Sequence, residues 1–345
     1  MKKVLAMALA GLLAVSATAC SASSAASGTS AAQSTTSSAG TKVFHIGVVQ
    51  LVEHPALDAA YKGFVDGLKE AGYVDGQNIK LDYQNAQGEQ ANCQTIATKL
   101  VNDKSDLILA IATPAAQAVA NTTKTIPILV TAVTDPAASK LVASNTAPGG
   151  NVTGTSDLTP VEEQIKLLKQ ILPKAKKVAL LYCSSESNSK IQADLARKAA
   201  AANGLETVDA TVSNSNEIQQ VTQSLVGKVD AIYAPTDNMI AAGMATVSMV
   251  AQAAKLPVIV GESGMVTKGG LATYGINYYD LGKLTAAQAV KILKDGKKPA
   301  DMPIEYSKNC DLTLNKEVAA KIGITFPQEL LDKAAAASSS AASSK

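Results

Sequence analysis

From Lys42 onward two hydrophobic rhythms trade places along the chain, one with the period of a strand and one with the period of a helix. Val43–Phe44–His45–Ile46–Gly47–Val48–Val49 is an apolar run of the buried-strand kind. Tyr61, Phe64, Val65, Leu68 and Ala71 then recur at helical spacing up to Gly72, a stop signal. Asn78 to Tyr83 alternates as a second strand, and Ile96, Leu100 and Val101 mark a second helix. Leu107–Ile111, helical Ala115–Ala120 and Ile128–Thr131 continue the series. The rhythm restarts after Val152–Thr153–Gly154. A helix over 161–172 is stopped by Pro173, and strand 178–182 leads to helix 189–202. An extended stretch at 205–208, helix 215–226, strand 230–233, helix 238–253 and strand 257–260 follow. Strands alternating with helices in this way build parallel sheets through right-handed crossovers. Ten parallel strands would sit near the limit of roughly 10 for one open sheet. Two rounds of β-α units therefore predict two similar lobes, with the turn-rich Pro148–Gly149–Gly150–Asn151 as the first crossing between them.

What precedes Lys42 has another character. Lys2 and Lys3 lead into the apolar run Val4–Val15, and Ala17–Thr18–Ala19 ends it just before Cys20. A charged start, an apolar middle and small residues at the end make a secretory leader, residues 1–19. The run is shorter than the roughly 20 residues of a membrane-spanning helix. Cys20 directly after the small residues resembles the bacterial lipobox, which implies lipidation at Cys20 and anchorage on the extracytoplasmic face of the cell membrane. Residues 20–41, nearly all Ser, Ala, Thr and Gly, read as a flexible tether, and 334–345 read as a disordered tail. About 295 residues lie between, enough for one large or two medium α/β domains.

Charge and composition narrow the chemistry. Removing Lys2 and Lys3 with the leader leaves basic and acidic side chains equal at 29 each. A neutral chain without a basic block carries no electrostatic footprint for nucleic acid. Cys93, Cys183 and Cys310 are too few for a disulfide framework and are expected as buried free thiols. Sequence signatures of phosphate loops, zincins and esterase elbows are absent, and His45 and His54 make no metal site. Ser187–Lys190 matches S-x-x-K, with Thr236–Asn238 and Lys268–Gly270 in the order used by penicillin-interacting serine enzymes. The third motif is incomplete, however, and the β-α rhythm does not fit that fold.

In open parallel sheets, ligands bind beyond the carboxyl ends of the strands, where helix N-termini converge. Small polar residues recur there. Gln50 and His54 follow the first strand, Thr113–Pro114 the third, Asp135 the fourth and Ser156 the fifth. Asn188–Ser189, Asp237–Asn238 and Glu262 occupy equivalent places in the second half. Helix N-termini favour anions such as a carboxylate, and an acid across the cleft would pair with an ammonium, so the set suits a small zwitterion. Each residue taken singly reads as readily as an ordinary N-cap.

These same residues resemble a family. Thr113–Pro114–Ala115–Ala116–Gln117–Ala118, Ile126–Pro127–Ile128 and Asp135–Pro136 are similar to the first lobe of ABC-transporter substrate-binding lipoproteins of the tryptophan/tyrosine type. So are Pro148–Ser156, Leu167–Pro173, Tyr233–Asn238 and Gly269–Gly275, with Cys183–Ser184 as a departure beside the cleft. The resemblance implies an α/β type I periplasmic-binding fold: two similar doubly wound parallel-sheet lobes with a ligand cleft between them and three crossings. The expected lobes are 43–155 plus about 278–303, and 156–277 plus about 304–333. It also implies a monomeric, cofactor-free, non-enzymatic receptor that closes on an aromatic amino acid and delivers it to a permease and its ATPase. A sensory receptor of the same fold is the alternative. Thr113, Ser156 and Ser189 are then expected at the carboxylate, and Asp237, with Asp135 or Glu262, at the ammonium. Gln50, His54, Asn238 and Asn277 are expected to line the pocket.

Overall fold

The computed structural model describes residues 42–343, with side chains through 336; the leader, Cys20 and the tether lie outside them. The chain opens with β1 (Phe44–Gln50), α1 (Pro55–Glu70), β2 (Ile79–Asn85), α2 (Gln90–Asn102) and β3 (Leu107–Ile111). Next come α3 (Thr113–Thr122), β4 (Ile128–Val133) and β5 (Val152–Ser156), then α4 (Val161–Ile171), β6 (Lys177–Cys183), α5 (Ser187–Ala202) and β7 (Glu206–Val212). The remainder is α6 (Ile218–Ser224), β8 (Ala231–Ala234), α7 (Asn238–Ala242), α8 (Met244–Ala253), β9 (Val258–Val260) and α9 (Ser263–Thr267). It ends with β10 (Ala272–Gly275), α10 (Tyr278–Asp295), β11 (Glu305–Tyr306), β12 (Asp311–Leu314), α11 (Lys316–Ile322) and α12 (Gln328–Ser343).

Two six-stranded sheets form, in the orders β2-β1-β3-β4-β5-β11 and β7-β6-β8-β9-β10-β12. They are the same pattern twice, all parallel but for β12, which runs against β10. The central strands β3 and β4 are buried throughout because helices cover both faces, whereas the edge strands β2 and β7 are only partly buried. The chain passes between lobes at 157–160, at 276–277 and at 307–310, and α10 returns to pack on α1. Those two helices meet through glycines. A Cβ on Gly63 would lie 1.9 Å from Tyr279 O, and one on Gly282 would lie 2.0 Å from Ala60 O.

Five details depart from the sequence reading. Pro148–Asn151 is not a lobe crossing; it delivers the chain into β5, still in the first sheet, and the crossing follows at 157–160. The third crossing lies beyond 304, because Glu305 and Tyr306 pair with Thr155 and Ser156. The expected helix 238–253 is broken at Gly243, where a Cβ would meet Ile218 Cδ1 of α6 at 2.3 Å. Residues 334–343, expected as a disordered tail, continue α12, as alanine's high helix propensity permits once the first turns are docked. Cys93 and Cys183 are buried free thiols, but Cys310 is exposed at the third crossing.

Candidate functional site

The strand ends of the first lobe carry polar groups that no described residue satisfies. Gln50 closes β1, and its Nε2 donates to Asp58 Oδ1 (2.7 Å) and Val52 O (2.9 Å), which leaves Oε1 buried without a partner. Pro55 starts α1 and holds His54 extended just outside the helix. Burial pushes the His54 pKa down to about 4, so the ring is neutral at neutral pH, and its Nδ1 is buried and unpartnered. At the end of β3, Ala112 has φ 83° and ψ 154°, a region that is nearly glycine-only. This strained link turns the chain straight into α3, with Thr113 and Pro114 buried in the first turn and the Thr113 hydroxyl unpartnered.

The second lobe uses its polar groups differently. Asp237 caps α7: its carboxylate accepts from Ile240 N (2.8 Å) and from Cys183 N at the end of β6 (2.6 Å). Glu186, just before α5, accepts from Asn188 Nδ2 (2.9 Å), Asn238 Nδ2 (2.5 Å) and Met239 N (3.1 Å). Burial first, and then the charge of Asp237, push the Glu186 pKa up to about 7. Burial also raises Asp237, against the pull of its backbone donors. Asn188 keeps a buried Oδ1 without a partner, while its Nδ2 also reaches Ser189 Oγ at 3.2 Å.

A third cluster ties the crossings together. The Tyr278 hydroxyl, at the start of α10, donates to Asp157 Oδ2 (2.7 Å) at the first crossing, leaving Asp157 Oδ1 unpartnered. Burial lifts Asp157 to about 6 and Glu262 to about 7, the latter helped by the charge of Asp157. Contacts then run from lobe to lobe. His54 Nε2 lies 3.4 Å from Asn238 Oδ1, Gln192 Nε2 donates to Thr134 Oγ1 (3.0 Å), and Gln117 Nε2 donates to Ser187 Oγ (3.3 Å). The lobes are therefore closed on each other. A groove of about 350 Å³ opens beside this junction, with Pro55 and Ala56 on one side and Glu262, Ser263 and Gly264 on the other.

The expected site residues divide into two groups. Gln50, His54, Thr113, Asn188, Ser189 and Asn238 are buried at the meeting strand ends, with Pro114 beside Thr113. The rest have structural duties. Ser156 donates to Thr134 O (2.7 Å) and accepts from Leu158 N (3.2 Å), which commits its hydroxyl to the backbone. Asp135 is held in its own loop by Ala137 N, Ala138 N and Asn145 Nδ2. Glu262 caps α9 through Gly264 N and Met265 N. Asn277, expected in the pocket lining, borders the groove beside the junction and also caps α10. The sequence pattern pointed to Thr134, beside Asp135 after the fourth strand, but not to Glu186 or Gln192. Glu186 had a signal, since it stands just ahead of Asn188–Ser189. Among the described residues no group could hold a metal ion, and no helix is long and apolar enough to cross a membrane.

Two lobes of one topology, closing polar strand ends on each other across three crossings, define a solute-binding protein of the type I periplasmic-binding fold. The chain belongs to the family described as ABC transporter substrate binding protein, whose model matches residues 45–338. It is 45% identical over 317 residues to a tyrosine-binding protein of Clostridioides difficile (strain R20291), covering 92% of this chain and 91% of that one. The crystal structure of an ABC domain in complex with L-Trp from Streptococcus pneumonia superposes with a TM-score of 0.82 at 41% identity, over 85% of this chain and 98% of the other. A ligand-free, open substrate-binding protein with adhesive properties from Clostridium difficile is 48% identical, over 82% and 96%, yet its TM-score is 0.64. The more identical chain is the less superposable, and the lobe-to-lobe hydrogen bonds give the reason: this structure is closed. The family and these relatives are solute-binding proteins rather than enzymes, and the protein is the substrate-binding component of an ABC transporter.

Proposed function

We propose that the protein captures a free amino acid, an aromatic one, by closure of its two lobes, and hands it to the permease and ATPase of an importer. One observation carries this reading. Four carboxyl groups, Asp157, Glu186, Asp237 and Glu262, are buried at the lobe junction, and no Lys or Arg among the described residues is buried with them. The unpartnered buried atoms beside them, Gln50 Oε1, Asn188 Oδ1 and Asp157 Oδ1, are acceptors. An acid-rich, acceptor-rich and base-free junction favours a ligand that brings N–H donors and positive charge. The ligand's own carboxylate fits the start of α3, where the Thr113 hydroxyl has no partner and the helix dipole is positive. The relatives named for tyrosine and complexed with L-Trp support the aromatic side chain. Differential affinity for the closed arrangement drives closure, and the transporter reads the closed shape. On this reading, lipid on Cys20 holds a monomeric receptor on the extracytoplasmic face of the cell membrane.

A thermal-shift screen of residues 41–345 against the twenty amino acids and common solutes tests the ligand class. A ligand at 100 times its dissociation constant adds about 2.7 kcal/mol. A raised melting point with Tyr, Trp or Phe is expected. A shift with a sugar or a nucleoside instead would overturn the zwitterion.

A further inference from the structure

We propose that Glu186, acting through Asn238, fixes the tautomer of His54 so that Nδ1 offers its lone pair to the ammonium of the bound amino acid. The inference rests on the amino-acid reading above and adds the group that recognises the nitrogen. A chain of hydrogen bonds runs across the lobes from Glu186 to His54. Glu186 is surrounded by donors only: Asn188 Nδ2, Asn238 Nδ2, Asn238 N and Met239 N. Once ionised, above about pH 7, its carboxyl oxygens can only accept, which orients the Asn238 amide with Nδ2 towards Glu186 and Oδ1 towards the first lobe. Turning that amide over would set oxygen against oxygen at the 2.5 Å contact.

Asn238 Oδ1 then faces His54 Nε2 at 3.4 Å, and an amide oxygen can only accept. The proton of the neutral ring consequently sits on Nε2, and Nδ1 is left as an acceptor, buried and with no partner among the described residues. Of the other carboxylates at the junction, Asp157 keeps one oxygen open as a further acceptor, and two are committed to backbone donors. Asp237 is taken by Cys183 N and Ile240 N, and Glu262 by Gly264 N and Met265 N. The same logic frees Gln50 Oε1 and Asn188 Oδ1, whose amide nitrogens are held by acceptors. An ammonium carries three donors and no acceptor, which is the complement of such a set. Glu186 and Asn238 are thus positioning residues, and His54 is the one that meets the ligand.

The chain contains two histidines, and the other, His45, is exposed, so the ring nitrogens of His54 can be followed by 15N NMR with an internal reference. The probe is L-tyrosine or L-tryptophan, whichever binds the native protein more tightly, together with its des-amino analogue. In the bound native protein, His54 should show a protonated Nε2 and an unprotonated Nδ1, and Glu186→Gln should mix the tautomers. Calorimetry should give the amino acid at least about tenfold preference over its analogue. His54→Asn keeps an acceptor near the Nδ1 position and should retain most of that preference. His54→Gln keeps the Nε2 position instead and should lose it, with the analogue bound as before. A proton on Nδ1, or a His54→Gln variant that weakens both probes alike or neither, would overturn the assignment while the amino-acid reading stands. A native protein that binds neither probe would instead remove the amino-acid reading, and this inference with it.

Discussion

The two faces of the cleft share one strand order and use it in opposite ways. On the second lobe, the acids at the strand ends are spent inside the protein: Asp237 caps α7, Glu262 caps α9, and Glu186 gathers three donors at the start of α7 and one from α5. On the first lobe, Gln50, His54 and Thr113 are neutral, buried and left with unpartnered atoms. Charge is therefore a poor guide to which residue meets the ligand here. A buried carboxylate is so costly without donors that the fold supplies them, and a satisfied carboxylate has little left to offer. Neutral acceptors are cheaper to leave open, and Gln50, His54 and Thr113 keep open atoms that the proposed ligand would use.

Substitutions can break or sharpen this contrast. Asp237→Ala should cost about 2–4 kcal/mol of stability, because it strands two buried backbone N–H groups. Urea unfolding measures it, and a loss no larger than that of a surface change would move Asp237 from the caps to the ligand. The acids as a group should also give a pH signature. Folding raises Glu186 and Glu262 to about 7 and Asp157 to about 6, so the folded protein binds protons that the unfolded chain releases. Stability should therefore climb by about 1–2 kcal/mol as pH falls from about 8 to about 6.5. Below that His54 works the other way, since the unfolded imidazole takes a proton that the buried ring, held near 4, refuses. Melting points across a pH series check the trend, and a flat profile would mean the acids stay ionised in the folded state.

On the first lobe the expected effects fall on binding instead. Thr113→Val should leave stability within about 0.5 kcal/mol, since the hydroxyl has no partner to lose, and weaken the amino acid about tenfold. Calorimetry and melting, run on the same variant, separate the two quantities. Ala112→Gly should give the smallest change, a gain of roughly 1 kcal/mol from relieving the strained link. A loss on that substitution would mean that the methyl group packs well enough to offset the strain.

Much of the architecture was legible in the sequence because it is carried by local signals. Buried parallel strands such as Leu107–Ile111 and Ile128–Val133 read as unbroken apolar runs, and Pro173 marks a helix end by its chemistry alone. The missed details were long-range. The helix breaks at Gly243, where Ile218 leaves no room for a side chain, and Glu305–Tyr306 belongs to the first sheet because it pairs with β5. Neither constraint is written within a few residues of its effect.

The same division runs through the site. The sequence by itself determined which residue types stand at the strand ends, because a strand that stops before a helix needs small polar residues to turn and cap it. It also determined family membership, which rests on the order and spacing of those segments. Only the tertiary structure decided which of the polar residues stay unpaired. That choice depends on partners arriving from elsewhere in the chain: the donors Cys183 N at Asp237 and Asn238 Nδ2 at Glu186, and the acceptor Asn238 Oδ1 at His54, 184 residues away. Hydrogen bonds saturate, so a residue's availability to a ligand is fixed by what already surrounds it, and that is settled when the two lobes meet.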